Sequence, residues 1–369
     1  LLLLCFRIYE VVFMVHSPPR PLPGAPRVRV NLYSDTQTLP TAGMKAAMME
    51  AALGDEQSGL DPTINALCDK MAALMGKEAA VFLPSGTMCN QIAIRVHCTQ
   101  GDAILAHRTA HILTSEGGGV GALTGAQIMG LDGEGGQFSP ETLEAGIWVE
   151  NRNTPPQRLV SVEQTANLGG GTVWKVETLN QVAEIAHSNG MATHMDGARL
   201  MNAVVASGVP AHEMTAGYDS VWLDFTKGLG APLGAVLCGS ADFIDRAWKW
   251  KQRIGGAMRQ GGMNAASCIY SLDHHVARLA DDHRNAQALA RGLAQVEGIT
   301  VQFPETNLVF FDVSGTGHTG AELAALLRAQ GVMISVMGKY RMRACTHLDV
   351  DAAGIDDALT TLRSVLAKA

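Results

Sequence analysis

The stretch Asp219-Ser220-Val221-Trp222-Leu223-Asp224-Phe225-Thr226-Lys227-Gly228-Leu229-Gly230-Ala231-Pro232 decides the reading of this chain. A strand-like apolar run delivers one lysine, Lys227, into a turn of small residues. Upstream, a second apolar run ends at His194-Met195-Asp196-Gly197-Ala198-Arg199. Parallel α/β sheets build their sites in the loops at the carboxyl ends of their strands. Two strands that each end in chemistry therefore imply an α/β sheet with a site along one edge.

The rest of the chain fits that expectation. From about residue 31 strand-like and helix-like segments alternate, the signature of an α/β domain with a mostly parallel sheet. Short strands are expected at 79–83, 103–106, 126–129, 159–163, 191–195 and 234–238, and helices at 43–53, 61–76, 85–98, 176–188 and 241–250. Asp61 followed by Pro62 is a cap and first-turn pair. A long helical pattern at 263–295 is expected to cross into a smaller unit, with strands at 307–313, 333–336 and 341–346 and helices at 319–330 and 354–368. The expected fold class is α/β: a three-layer large domain with a mostly parallel or mixed sheet over 31–270, then a smaller C-terminal α+β domain over 271–369. Residues 1–30 are apolar and then proline-rich, and are read as an extension outside the fold, a secretory leader being the lesser alternative.

Composition narrows the partners. Of 369 residues 47% are hydrophobic and 17% charged, so the chain can bury a large core. The net charge is -7 and no basic block occurs, which argues against a nucleic-acid partner. The apolar start is interrupted by Arg7 and Glu10 and falls short of the roughly 20 apolar residues of a membrane span. Seven cysteines without a C-x-x-C pair suggest neither a disulfide framework nor a metal site, and point to a reducing cytoplasm.

Lys227 and Asp196 are the pair needed to hold pyridoxal 5'-phosphate: a lysine for an imine link, and an acid that keeps the pyridine nitrogen protonated. Pro84-Ser85-Gly86-Thr87-Met88-Cys89-Asn90 follows a strand and opens a helix. Alone it reads as a capped helix start. Beside Lys227 and Asp196 it reads as a phosphate site, with helix N–H groups, a close approach at Gly86 and the hydroxyls of Ser85 and Thr87. Arg199 can offer its fork to a substrate carboxylate or to the cofactor's phenolic oxygen. His107 and His111 sit near a strand end, either as a stacking or basic imidazole or as structural histidines. Arg259, in a small-residue loop, can contact phosphate, within its own subunit or across a subunit boundary. Of Arg341 and Arg343, which share one strand face, one can point into the cleft between domains.

These motifs, in this order, resemble the threonine aldolase family of pyridoxal-phosphate enzymes, within the aspartate aminotransferase-like fold. The resemblance runs from about Asn31 to the C-terminus. It is carried by Ser34-Asp35-Thr36, Gly54-Asp55 with Asp61-Pro62-Thr63, Ser85-Gly86-Thr87-Met88, Ala110-His111-Ile112, His194 to Arg199, Lys227 to Pro232, Met258-Arg259-Gln260 and Thr346 to Val350. It implies that Lys227 makes the imine, Asp196 partners the pyridine nitrogen and His111 stacks on the ring. Gly86 and Thr87 would bind phosphate, with Arg259 reaching in from a neighbouring subunit. Ser34, Arg199 and Arg343 would hold the substrate carboxylate. The implied reaction is retro-aldol cleavage of a small-molecule 3-hydroxy-L-amino acid to glycine and an aldehyde, in a homo-oligomer with sites at the subunit interface.

Two departures stand out. The family's opening charged residues are replaced in Asn31-Leu32-Tyr33, and Ala166 stands where the family often has histidine. The loss of that imidazole predicts a roomier, less polar pocket for the β-substituent, tolerant of phenylserine. A β-eliminating lyase or transaminase, or a non-catalytic ligand-binding homologue, are the competing readings. A dinucleotide oxidoreductase fits poorly because no G-x-G-x-x-G follows the first strand.

Overall fold

The computed structural model describes residues 26–367. The segment expected to lie outside the fold falls largely beyond that range. Twelve strands form two sheets. The larger has seven strands in the order β2 (Ala79–Leu83), β8 (Ala235–Gly239), β7 (Ser220–Asp224), β6 (Ala192–Gly197), β5 (Gln157–Glu163), β3 (Ala103–His107) and β4 (Gln127–Leu131). All neighbours are parallel except β8, which runs antiparallel to both β2 and β7. The sheet is therefore mixed, and β2 points the same way as β7.

Its strands read as apolar runs because both faces are covered. Leu105, Val160, Met195 and Val221 face one core, while Ile104, Leu159 and Leu237 face the other side. Helix α1 (Pro62–Met75) starts as its sequence predicts: the Asp61 carboxylate accepts hydrogen bonds from Thr63 N and Ile64 N, and Gly76 at φ 62° ends it. Helix α2 (Gly86–His97) follows β2 and lays Ile92 and Ala93 on the sheet.

The smaller sheet has the order β1 (Val30–Leu32), β11 (Val332–Val336), β12 (Arg341–Cys345), β10 (Leu308–Asp312) and β9 (Thr300–Gln302). Here the structure differs from the boundary expected between residues 30 and 31. That boundary falls inside β1, which pairs in parallel with β11, Val30 opposite Val332 and Leu32 opposite Ile334. Val30 and Leu32 are buried in the smaller unit's core with Leu289, Val309 and Leu359. A three-residue strand gains its stability from that long-range pairing and burial, which no local pattern announces. Helices α3 (His111–Thr114) and α4 (Leu200–Ser207) come earlier, and the long helical pattern is two helices, α5 (Gly262–His274) and α6 (Leu279–Leu293). Leu279 packs in the large core and Leu289 in the small one, so α6 makes the crossing. Among the described residues no helix is long and apolar enough to cross a membrane.

Candidate active site

The carboxyl ends of β2, β5, β6 and β7 converge on a cavity of about 340 Å³, closed on its other side by the β1–α1 segment and β12. Of the residues singled out from sequence, Ser34, Ser85, Gly86, Thr87, His111, Asp196, Arg199, Lys227 and Arg343 all line it. Arg259 does not. Its side chain is 65% exposed, with Nη1 3.3 Å from Asp55. His107 is also outside the lining. It is buried, with Nδ1 bonded to Thr109 and Nε2 3.0 Å from the Gly133 carbonyl, a structural arrangement.

Lys227 follows β7, and its carbonyl accepts from Gly230 N in a tight turn that needs the positive φ of Gly230, 76°. Its ammonium donates to Asp224 Oδ2 at 2.5 Å and sits 5.8 Å from the Trp222 ring. Asp196, at the end of β6, is buried. Its Oδ2 accepts from Asn90 Nδ2 at 2.9 Å and its Oδ1 from Ala198 N at 3.0 Å. Burial pushes the Asp196 carboxyl up, opposed by His111, by the Asn90 hydrogen bond and by Lys227.

His111 opens α3. Its Nδ1 is 2.9 Å from Glu116 Oε1, and that hydrogen bond raises the imidazole above its ordinary range. A carboxylate accepts only, so Nδ1 carries the proton and Nε2 is the basic nitrogen. Glu163, the register partner of Asp196 across β5 and β6, accepts from His111 N at 3.0 Å and Asn167 N at 2.8 Å. Burial and the Asp196 charge push it up to about 7.

Ser85 caps α2, its Oγ accepting from Met88 N. Ser85, Gly86 and Thr87, at the start of α2, line the cavity. Only glycine fits at 86: a Cβ there would lie 2.2 Å from Trp222 Cη2. Arg199 is held as a buried bidentate pair with Asp35, Nε and Nη2 each at 2.7 Å. Asn307 Nδ2 also donates to Asp35, at 3.0 Å. Burial works against the Asp35 anion, but Arg199 outweighs it and holds the carboxyl well below the usual range. Arg343, on β12, donates from Nη1 to Asn167 Oδ1 at 2.9 Å, and its buried Nε has no hydrogen-bond partner among the described residues. Burial and the nearby Arg199 charge push its guanidinium down. Of the two strand arginines, Arg343 is the one in the cleft. Arg341 is exposed and lies over the Phe310 ring.

The sequence reading missed Thr36, Glu163, Asn167, Trp222, Asp224 and Thr226 in the cavity wall, and Asn90 and Glu116 behind it. Glu163 was findable, since it ends the strand beside that of Asp196. Ala166 is buried against Gly136, which leaves no room for a Cβ there, and is not in the cavity wall. Its placement lends no support to a roomier β-pocket. Cys89 is buried, and burial pushes its thiol far up, so it is inert.

The family model described as beta-eliminating lyase matches residues 31–316. The low specificity L-threonine aldolase of Escherichia coli K12 is 38% identical over 340 residues, covering 92% of this chain and 100% of that one. Low-specificity L-threonine aldolase 1 of Arabidopsis thaliana is 37% identical over 344 residues, covering 91% and 96%. The chain belongs to the beta-eliminating lyase and threonine aldolase family. The fold agrees: the solved threonine aldolase of Leishmania major superposes with a TM-score of 0.78 at 18% identity, over 91% of this chain and 99% of that one. The expected family and α/β fold class are thus borne out. In this family member the donor set fits pyridoxal phosphate. The buried acid at the end of β6, the amine of Lys227, the His111 imidazole and a glycine-opened helix start all line a single cavity.

Proposed function

We propose that this protein cleaves 3-hydroxy-L-amino acids of the threonine, allo-threonine and phenylserine class to glycine and an aldehyde, with pyridoxal 5'-phosphate as cofactor. One observation carries the reading: Lys227 and Asp196 face the same cavity as Arg343, a half-buried cation with no carboxylate partner among the described residues. When bound, the cofactor supplies an electron sink for the breaking Cα–Cβ bond. Lys227 would anchor it covalently, and Asp196 would hold its ring nitrogen positive. Ser85, Gly86 and Thr87 would take its phosphate at the start of α2.

Arg343 would grip the substrate carboxylate, assisted by Ser34 and by the edge of Arg199 not engaged by Asp35. A carboxylate fixed there sets which bond at the α-carbon is free to break. His111, with Glu116 holding Nδ1, would present Nε2 to the β-hydroxyl and accept its proton, directly or through a water. Arg259 would complete a neighbouring subunit's phosphate site in a homo-oligomer, dimer or tetramer. Its exposed guanidinium and the exposed Tyr33, Leu39, Met49, Leu53 and Leu60 support such a contact. Free cysteines at 68, 89, 98, 238, 268 and 345 suit a reducing compartment such as the cytoplasm.

The test is an absorbance spectrum of the purified protein with pyridoxal phosphate, followed by addition of glycine and benzaldehyde. A visible band that vanishes on borohydride reduction, and an aldehyde-dependent change with glycine, are the expected results. A protein that stays colourless with the cofactor overturns the reading. The family model's description favours one second reading, β-elimination. Release of keto acid and ammonia in place of glycine and aldehyde would establish it.

A further inference from the structure

One sheet face beneath α2 is polar where packing alone would make it apolar. On β6 His194 and Asp196 alternate onto it, and on β7 Ser220 and Trp222 do the same, paired His194 with Ser220 and Asp196 with Trp222. Asn90 and His97, seven residues apart on α2, share the helix face that covers them. A sheet buried on both sides reads as apolar throughout unless its polar groups satisfy one another. Here they do.

We propose that Asn90 is the positioning residue for Asp196, and that the file His97–Ser220–His194 behind it fixes the direction of Asn90. The inference rests on the cofactor reading above and deepens it.

The direction follows from donor chemistry. The Trp222 indole can only donate, and its Nε1 lies 2.7 Å from Asn90 Oδ1. On the other side Asn90 Nδ2 lies 2.9 Å from Asp196 Oδ2 and 2.7 Å from Glu116 Oε1, which accept. The amide therefore has one permitted orientation. His194 Nε2, 3.0 Å from Asn90 Oδ1, must then donate to it. A neutral His194 has a bare Nδ1, and Ser220 Oγ at 2.8 Å must donate to that nitrogen. Ser220 has one proton, so its oxygen accepts from His97 Nε2 at 2.8 Å. Every hydrogen bond in the file points toward Asp196. Burial supports neutral rings, pushing His194 down to about 3 and His97 to about 4.

Asn90 thus has all four hydrogen-bonding positions filled. Its two N–H groups are divided between the acid placed at the ring nitrogen and Glu116, which orients His111. One amide sets the position of both. Aligned dipoles of this kind stabilise the anion at the end of the chain more than a single bond does.

Two measurements decide it. In cofactor-free wild-type protein labelled with ¹⁵N-histidine at pH 7, His194 and His97 should both appear as the Nε2–H form with a bare Nδ1. His194 protonated at Nδ1, or as a cation, overturns the proposal. In the second, pyridoxal phosphate labelled with ¹⁵N in the ring is bound to the wild type, Asn90→Ala and Ser220→Ala. Asn90→Ala should weaken cofactor binding about 10- to 100-fold, the loss of a hydrogen bond to a charged group, and move the ring resonance toward neutral pyridine. Ser220→Ala, which touches no cofactor atom, should move that resonance the same way by less. Wild-type affinity and an unmoved resonance in Asn90→Ala refute the role. If Asn90→Ala does not fold, Ser220→Ala and the tautomers decide alone. Wild-type protein that binds no pyridoxal phosphate would instead sink the cofactor reading, while the tautomers still test the file.

Discussion

The wall of the cavity built by the seven-stranded sheet holds Asp196, His111 and Glu163, with Glu116 and Asn90 behind them, and these groups bind one another. The opposite wall, built by β12 and the segment after β1, holds Arg343 with a buried Nε that nothing among the described residues accepts from. An unpaired buried donor costs about 1–3 kcal/mol. On the proposed reading, a chain that satisfies five groups on one side and leaves a guanidinium short on the other receives an anion on the second side. The first wall is complete within the chain and can hold a fixed group. On that reading, the second would be completed by the substrate carboxylate.

The largest effect on this contrast should come from Lys227→Ala. It is expected to remove the visible band with pyridoxal phosphate and to lower turnover by about 10³-fold or more, the scale seen when an enzyme's nucleophile is removed. Retention of turnover would detach the acid-rich wall from the chemistry. Next, the two arginines should separate. Arg343→Ala is expected to lower kcat/KM for 3-hydroxy amino acids by about 10²-fold, in keeping with removal of one partner of a desolvated charge pair, while changing stability little. Arg199→Ala strands the buried Asp35 anion and should lower the unfolding free energy by about 3–5 kcal/mol. Urea denaturation beside steady-state kinetics checks both, and similar profiles for the two variants would erase the distinction between the walls.

A further expected effect is a pH dependence from Glu163. Its carboxyl is held up at about 7 against an ordinary 4.5. A group raised in the fold contributes stability that is full below its unfolded value and lost as pH rises through the folded one. Unfolding free energy should therefore fall between about pH 4.5 and 7, by as much as about 3 kcal/mol, and Glu163→Gln should flatten that part of the profile. An unchanged slope in the variant would assign the dependence to another group. Asp35 behaves oppositely: its carboxyl is lowered, so its share of stability is present above its unfolded value and lost only in acid.

Much of the sheet edge was legible because it is written locally. Ala79–Leu83 and Val176–Ser188 begin and end where the apolar pattern does. Asp61-Pro62 marks a helix start that its own carboxylate caps. His194 to Arg199 and the turn at Lys227 announce strand ends with chemistry in them. Arg259 was less legible, since its place within one chain is a surface pair with Asp55. Asn90 lay within the quoted helix start, yet its four partners come from β6, β7 and the segment after α3.

Local chemistry along the chain already makes this an α/β protein with Lys227 and Asp196 at strand ends and a glycine-opened helix start before them. Strand and helix periodicity, caps and turns act over a few residues, and the order of the motifs adds the family. Packing in three dimensions places Val30–Leu32 in the sheet of the C-terminal unit, engages Arg199 with Asp35 while leaving Arg343 short, and sets one asparagine between two acids. Those are pairings across tens to hundreds of residues. Their energies come from burial and from the satisfaction of donors and acceptors, which exist only once the packed interior has excluded water.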